Sequence, residues 1–213
     1  MLKLMGRANA ELAADWIGSL LAHRLHLPCP EVRIANVSTD ALETLPPHLG
    51  HSAQPGPAFA SREVSPASPI DSTAALLDAI DGELLARLYV LDRWLEVLDR
   101  YRPDDSWNLL RQPAGLAVID FGKALSSCFV RLLGPPSGNP VGRYPNSVTI
   151  QFPTEVIAQT CANIRAMSDD ELAALVASVP PQWFSTEQKT CALALLLERR
   201  GRIEARCEQG LGG

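Results

Sequence analysis

The chain has 213 residues, 46% of them hydrophobic, so it is long enough for one sizeable domain or two modest lobes and too apolar to be disordered throughout. The formal net charge of −5 provides no broad electrostatic attraction to nucleic acid or to an anionic membrane. The five cysteines are widely spaced and never form a Cys-x-x-Cys pair, which argues against a disulfide scaffold or a zinc ribbon and is typical of a reducing compartment.

No segment of the sequence is typical of a leader or a membrane anchor. The first twelve residues lack the apolar core of a signal peptide, and no uninterrupted apolar run approaches the roughly 20 residues of a membrane span. We therefore expect a cytoplasmic protein.

The N-terminal part of the chain is predicted to alternate between strands and one helix. Residues 1–5 predict a short strand that contains Lys3, and apolar residues at helical spacing predict a helix over about 8–25, with Glu11 in its first turn. Residues 31–37 and 59–64 predict two further strands, and residues 38–57, rich in Pro, Gly, Ser and His, predict a loop.

A long amphipathic helix is predicted in the middle of the chain. Residues 66–71 are typical of a linker, and Ser72 or Thr73 can cap the helix that follows. Apolar residues then recur every three or four positions through Leu98, for about seven turns. This pattern predicts a helix buried along one side, with Tyr89 and Trp94 in the core, that carries Asp99 at its C-terminal end.

Two short strands after this helix bring polar side chains together. Asn108 opens the first strand, and Asp120 closes the second after a turn at residues 113–115. An antiparallel pair with a short turn places these two positions at the same end, where one Mg²⁺ ion can contact both oxygens. The alternative is a surface hairpin with ordinary solvated side chains, in which the short motif is a coincidence.

The order of these residues resembles the kinase signature of a catalytic Asp, an Asn and an Asp-Phe-Gly motif. In detail the chain resembles the HipA-like kinase family over nearly its whole length, because Asp99-Arg100 follows a long helix and Asn108 precedes two leucines. The resemblance implies ATP and Mg²⁺ as cofactors, Asp99 as the catalytic residue, and Asn108 and Asp120 as metal ligands. It also implies an ion pair between a strand lysine and a helix glutamate, here Lys3 and Glu11, that holds the nucleotide phosphates.

Two departures from the kinase pattern leave alternatives open. The interval from Asp99 to Asn108 is nine residues instead of five, so either the loop bulges or Asp104 or Asp105 has taken the catalytic role. We expect Asp99 to keep it, with residues 102–107 looping outward, the other two carboxylates solvated and Trp107 packed against the lobe. The usual glycine-rich phosphate loop is also missing, so either the coding sequence extends upstream of Met1 or the small lobe is reduced and catalysis is lost.

The C-terminal part is predicted to be helical. A Gly- and Pro-rich loop at residues 134–140 precedes helices predicted over 154–165, 168–178 and 186–207, and Ser168 with Glu171 predicts a capping box.

These patterns together predict an α+β, mainly helical, protein-kinase-like fold. A truncated N-terminal lobe is expected at residues 1–65, and a larger helical lobe with the catalytic hairpin at 66–213. The expected function is transfer of a phosphoryl group from ATP to a Ser or Thr hydroxyl of a protein, as the resemblance implies. The alternatives are a pseudokinase that binds without turnover and a helical interaction protein.

Overall fold

The computed structural model describes residues 1–6, 9–45, 53–79, 82–102, 104–113, 115–126, 128, 144–149 and 152–211. Over these residues the fold is α+β and mainly helical, with two three-stranded antiparallel sheets, as the sequence predicts. No helix in this part of the chain is both long and apolar enough to cross a membrane. The loop predicted at 134–140 lies outside the described residues.

The first sheet carries Lys3. It consists of β1 (Leu2–Met5), β2 (Val32–Val37) and β3 (Gln54–Ser61) in the order β1-β3-β2, and helix α1 (Asn9–Arg24) follows β1. Lys3 lies opposite Phe59 of β3, and Phe59 is buried. Paired residues of an antiparallel sheet project to the same side, so Lys3 shares the face of a core side chain.

The predicted loop over residues 38–57 is wrong at both of its ends. Helix α2 (Thr39–Glu43) begins directly after Ser38, whose hydroxyl caps it, and β3 starts at Gln54. The Pro and Gly residues around Gly56 suggested a loop, but β3 is the central strand and is paired on both sides, so tertiary pairing overrides local propensity.

The second sheet contains the predicted hairpin. Strands β5 (Trp107–Gln112) and β6 (Gly115–Val118) pair with Leu109 opposite Val118, which confirms the hairpin. The predicted linker at 66–71 is partly wrong, because its residues form strand β4 (Ser68–Ile70), which pairs with β5.

The residues predicted to form one long helix contain helices α3 (Thr73–Ala79) and α4 (Gly82–Leu95), and residues 80–81 between them lie outside the described part. Tyr89 and Trp94 are fully buried on α4, as predicted. The predicted C-terminal end is wrong, because α4 stops at Leu95, where Glu96 adopts a φ of +58°. Asp99 therefore lies in the connection after the helix.

The remaining helices are α5 (Asn146–Thr149), α6 (Thr154–Arg165), α7 (Asp169–Ala177), α8 (Thr186–Arg200) and α9 (Ile203–Leu211). The predictions for α6 and α7 are confirmed, including the capping box of Ser168 and Glu171. The single helix predicted over 186–207 is instead two helices, because α8 ends at its C-cap Gly201 and α9 starts at Ile203.

Candidate functional site

Asp120, just after β6, is the most constrained acidic residue at the open end of the hairpin. Its φ is +59°, an uncommon conformation for a residue other than glycine and one that is concentrated at functional sites. Its Oδ1 accepts a hydrogen bond from Lys3 Nζ at 2.9 Å, and its Oδ2 lies 3.9 Å from Nη2 of Arg102. Burial alone would raise the pKa of Asp120, but the hydrogen bond and charge of Lys3 outweigh it and lower the pKa.

Asp99 has the opposite electrostatic environment. Burial raises its pKa, and the negative charge of Asp120 raises it further, against the opposing charge of Arg100. Its Oδ1 is buried and accepts no hydrogen bond from any residue that the structure describes. An unpaired buried carboxylate oxygen is costly and rare in native proteins, so Asp99 Oδ1 is an unsatisfied acceptor next to Asp120.

Asn108, the second residue of β5, is tied to the Asp99 segment. Its Nδ2 donates to the Asp99 carbonyl oxygen at 2.8 Å, and its backbone N–H donates to the Arg100 carbonyl at 3.0 Å. The carboxamide nitrogen is therefore engaged by the backbone, which leaves Oδ1 as the end of the side chain that can act as an oxygen ligand.

The residues between Asp99 and Asn108 close on themselves. The Arg102 N–H donates to the Ser106 carbonyl at 2.9 Å, and Tyr101 forms a bridge with Trp107. Trp107 is buried as predicted. Arg102 does not point away as expected, since its guanidinium approaches Asp120.

Neither rival carboxylate of this loop faces the site. Asp104 is exposed and accepts hydrogen bonds from the backbone and hydroxyl of Ser106. Asp105 was expected to be solvated, but it accepts hydrogen bonds from Thr73, at 2.6 Å from the hydroxyl and 3.1 Å from the backbone N–H, and from Tyr101. Its carboxylate is therefore used to hold the loop against the start of α3.

Lys3 forms its helix ion pair with Asp15, so the predicted Lys3–Glu11 pair is wrong. Lys3 Nζ lies 2.7 Å from Asp15 Oδ2, and Asp15 Oδ1 accepts a hydrogen bond from the Phe121 N–H at 2.8 Å. Glu11 instead forms an ion pair with Lys123. The physical reason is the position of β1 over α1, which brings Lys3 to the second turn of the helix.

The charges in this pair depend on one another. Burial raises the pKa of Asp15 to about 6, although the charge of Lys3 opposes the rise. Burial lowers the pKa of Lys3, but the negative charges of Asp15 and Asp120 outweigh it and raise the pKa overall. Lys3 is therefore fully charged near neutral pH. A sequence signal for Asp15 existed, because it follows Glu11 by four residues and shares its helical face.

Arg100 fixes the open end of the hairpin from inside the core. It forms a fully buried ion pair with Asp92, at 2.9 Å from Nε to Oδ2. Its Nη1 donates to the carbonyl oxygens of Asn108, at 2.8 Å, and of Ile119, at 2.5 Å. Its guanidinium also lies 4.7 Å from the centre of the Phe121 ring. One side chain thus binds the backbone beside both Asn108 and Asp120, so Arg100 supports the site from the core.

The structure therefore brings Lys3, Asp120, Asn108 and the Asp99 segment to one place and leaves Glu11 at the edge. Among the described residues, no group of three or more His, Cys, Asp or Glu side chains is arranged to hold a metal ion. The shared metal site of Asn108 and Asp120 stays a prediction.

Comparisons with known proteins identify a family and a similar fold. The model of the family described as HipA-like kinase matches residues 1–136, a segment that contains all the site residues named above. The crystal structure of the Helicobacter pylori proinflammatory kinase CtkA is similar to this chain, with a TM-score of 0.61 and 13% identity, over 98% of this chain and 87% of that chain. At this identity the likeness concerns the fold. No curated protein matches the sequence.

Proposed function

The chain belongs to the HipA-like kinase family, and we propose that it transfers the terminal phosphoryl group of ATP to a Ser or Thr hydroxyl of a protein. The observation that carries this proposal is the contrast between two neighbouring carboxylates. The pKa of Asp99 is raised by burial and the pKa of Asp120 is lowered by Lys3. Neighbouring acids whose environments separate their pKa values can take different roles in one reaction.

Asp99 suits the role of the base or orienting group for the acceptor hydroxyl. Its raised pKa favours accepting a proton, and its unpaired Oδ1 would receive a hydrogen bond from the hydroxyl once substrate binding exposes this oxygen. The hydrogen bond from Asn108 to its carbonyl and the burial of Arg100 next to it hold the backbone of this residue in place.

The oxygen donors fit Mg²⁺. Asp120 and the carboxamide oxygen of Asn108 are hard ligands of the kind this ion prefers, and its chemistry when bound is to neutralise charge on the transferring phosphates. Asp120 stays ionised because its pKa is lowered, so the carboxylate is ready to act as a ligand. These two residues would supply only part of a coordination shell, and nucleotide phosphate and water oxygens would supply the rest.

Lys3 would contact the phosphates of the nucleotide. In this structure its ammonium group is shared between Asp15 and Asp120. A bound phosphate would replace Asp120 as one of its partners, and Asp15, which has only 1% of its side chain exposed, would keep the ammonium group oriented. We assign to Asp15 the role that the sequence suggested for Glu11.

The proposal includes the remaining expectations from the sequence. Residues 1–65, which hold the sheet of Lys3, would form the smaller lobe, and residues 66–213 the larger helical lobe. A cytoplasmic location would supply the ATP, and the protein substrate would approach Asp99.

A second candidate is a pseudokinase that binds nucleotide without turnover. It is favoured by the two cations that already face Asp120, Lys3 at 2.9 Å from one oxygen and Arg102 at 3.9 Å from the other. If these contacts persist, they hinder metal binding by the same carboxylate.

The test compares isosteric variants in a phosphoryl-transfer assay with radiolabelled ATP, Mg²⁺ and dephosphorylated casein as a generic acceptor, with autophosphorylation followed in parallel. Asp99→Asn should lower the rate by about 10²-fold or more, because a general base contributes about 10²–10⁴-fold. Asp104→Asn is the matched control, since this exposed carboxylate binds only Ser106 among the described residues, and it should stay within about twofold of the parent.

Nucleotide binding is measured separately as the thermal shift with ATP in the presence and absence of Mg²⁺. Asp120→Asn should remove the Mg²⁺-dependent part of the shift, because metal-bridged phosphates carry most of the charge neutralisation. Loss of transfer in Asp104→Asn with Asp99→Asn unharmed would overturn the assignment of Asp99. A Mg²⁺-dependent ATP shift without any transfer would favour the pseudokinase, and the absence of both would favour the interaction protein.

A further inference from the structure

Two cysteines outside the proposed kinase site are in direct contact. Cys161 of α6 and Cys207 of α9 are both buried, and their sulfur atoms lie 4.0 Å apart. The same two helices are joined by an ion pair between Arg165 and Glu204 at 2.9 Å. The two thiols are thus held on packed helices and face each other.

We propose that Cys161 and Cys207 form a redox-sensitive thiol pair that a peroxide oxidises to a disulfide linking α6 to α9. An S–S bond is about 2.05 Å long, so the sulfurs need to approach by about 2 Å, which side-chain rotation and a small helix shift can provide. This inference does not depend on the proposed kinase function.

A cavity borders the pair. Both cysteines line a cavity of about 360 Å³, whose wall also contains Phe152, Ile157 and Ala158. A water molecule takes up about 30 Å³ of liquid volume, and hydrogen peroxide is only slightly larger. The cavity therefore has room for the oxidant beside both sulfur atoms, whereas larger thiol reagents are restricted by the burial of the pair.

The contact between the two sulfur atoms favours the thiolate form of whichever cysteine accepts the hydrogen bond. With Cys207 as the donor, this hydrogen bond lowers the pKa of Cys161, although burial acts in the opposite direction. The same contact, with burial, raises the pKa of Cys207. In this arrangement Cys161 is the nucleophile and Cys207 is the resolving thiol, and the two roles exchange when Cys161 is the donor.

The chemistry needs one peroxide molecule for each disulfide. The Cys161 thiolate attacks one peroxide oxygen, the O–O bond breaks, and the hydroxide that leaves takes up a proton to form water. Cys207, after losing its proton, then attacks the sulfur of the Cys161 sulfenic acid, and the S–O bond breaks to release a second water. The two thiols lose two electrons and two protons, and both peroxide oxygens end as water.

A second cysteine contact provides a competing pair. Cys128 and Cys191 are also close enough to interact, and burial together with this contact raises the pKa of Cys128. Neither Cys128 nor Cys191 lines the cavity that Cys161 and Cys207 share. Cys191 is only partly buried, whereas Cys161 and Cys207 are buried, so peptide mapping has to distinguish the two pairs.

The test treats the whole chain with hydrogen peroxide, removes the peroxide, unfolds the protein in urea with N-ethylmaleimide to block every remaining thiol, and digests it with trypsin without reduction. The sequence is well suited to this mapping, because cleavage after Lys and Arg places each of the five cysteines in a separate peptide. Cys161 falls in the peptide 144–165 and Cys207 in the peptide 207–213. We expect these two peptides to be recovered as one disulfide-linked species that disappears on reduction.

Thermal unfolding gives an independent readout. A disulfide that closes a loop of this length stabilises a protein mainly by restricting its unfolded state, so oxidation should raise the Tm of the parent by about 5 °C or more. The rise should be absent in Cys161→Ser and in Cys207→Ala and present in the control Cys191→Ala. No linked peptide, a linked peptide of Cys128 and Cys191 alone, or oxidation of Cys161 only to sulfinic acid would each overturn the proposal.

Discussion

Replacing Gly18 by Ala tests how α1 is packed against the Asp-Phe-Gly segment. Gly18 lies inside α1, and a Cβ added there would be 2.4 Å from Cγ and 2.5 Å from Cβ of Phe121. Non-bonded carbon atoms prefer a separation of about 3.5–4.0 Å, so the helix or the ring must move by more than about 1 Å. Phe121 is fully buried, so the ring cannot move out of the way by turning towards solvent.

The expected cost follows from two opposing contributions. Overpacking a filled core typically costs about 1–3 kcal/mol. Alanine in a helix interior is favoured over glycine by about 1 kcal/mol, which offsets part of that cost. We expect Gly18→Ala to lower the free energy of unfolding by about 1–2 kcal/mol. The same substitution at a helical position with free space would raise it.

Urea unfolding monitored by circular dichroism measures this difference, with Gly201→Ala as the matched control. A Cβ at Gly201 would meet only the carbonyl oxygens of Glu198 at 3.5 Å and Leu197 at 3.9 Å, which are ordinary contacts. The control should therefore unfold within about 0.5 kcal/mol of the parent, as expected for a substitution without a specific structural cost. Equal or greater stability of Gly18→Ala would refute the close packing of Phe121 on α1.

Two further predictions concern buried charges, and the same urea series can check both. Because the pKa of Asp15 is raised to about 6, the folded protein keeps a proton that the unfolded chain has already released above about pH 4. The free energy of unfolding should therefore fall by about 3 kcal/mol as the pH rises from about 4 to about 6. Asp15→Asn should remove this part of the pH dependence, and an unchanged profile would contradict the raised pKa. Arg100→Met leaves Asp92 as an uncompensated buried charge and should cost about 3–5 kcal/mol. Arg102→Gln, at a side chain that is 46% exposed, should cost less than about 1 kcal/mol, and equal losses in the two variants would refute the central role of Arg100.

The hairpin at the site was predictable because short-range rules determine it. A short turn between two apolar runs specifies an antiparallel pair, and the pair brings the Asn108 and Asp120 ends together. The helix partner of Lys3 was not predictable in the same way. Glu11 and Asp15 lie one turn apart on the same face of α1, and the choice between them depends on how β1 crosses the helix. That crossing is set by tertiary packing, which periodicity does not report.

The nine-residue interval between Asp99 and Asn108 shows why motif spacing is a weaker constraint than the contacts at its two ends. The side chain of Asn108 binds the Asp99 carbonyl, and its backbone binds the Arg100 carbonyl. These two hydrogen bonds join the ends of the interval, so residues inserted between them need only form a closed turn. The bond from the Arg102 N–H to the Ser106 carbonyl closes that turn, and Asp105 anchors it to Thr73. Despite the long interval, Asp99 and Asn108 are therefore held together by direct contact, which is the physical reason for preferring Asp99 over the two carboxylates of the loop.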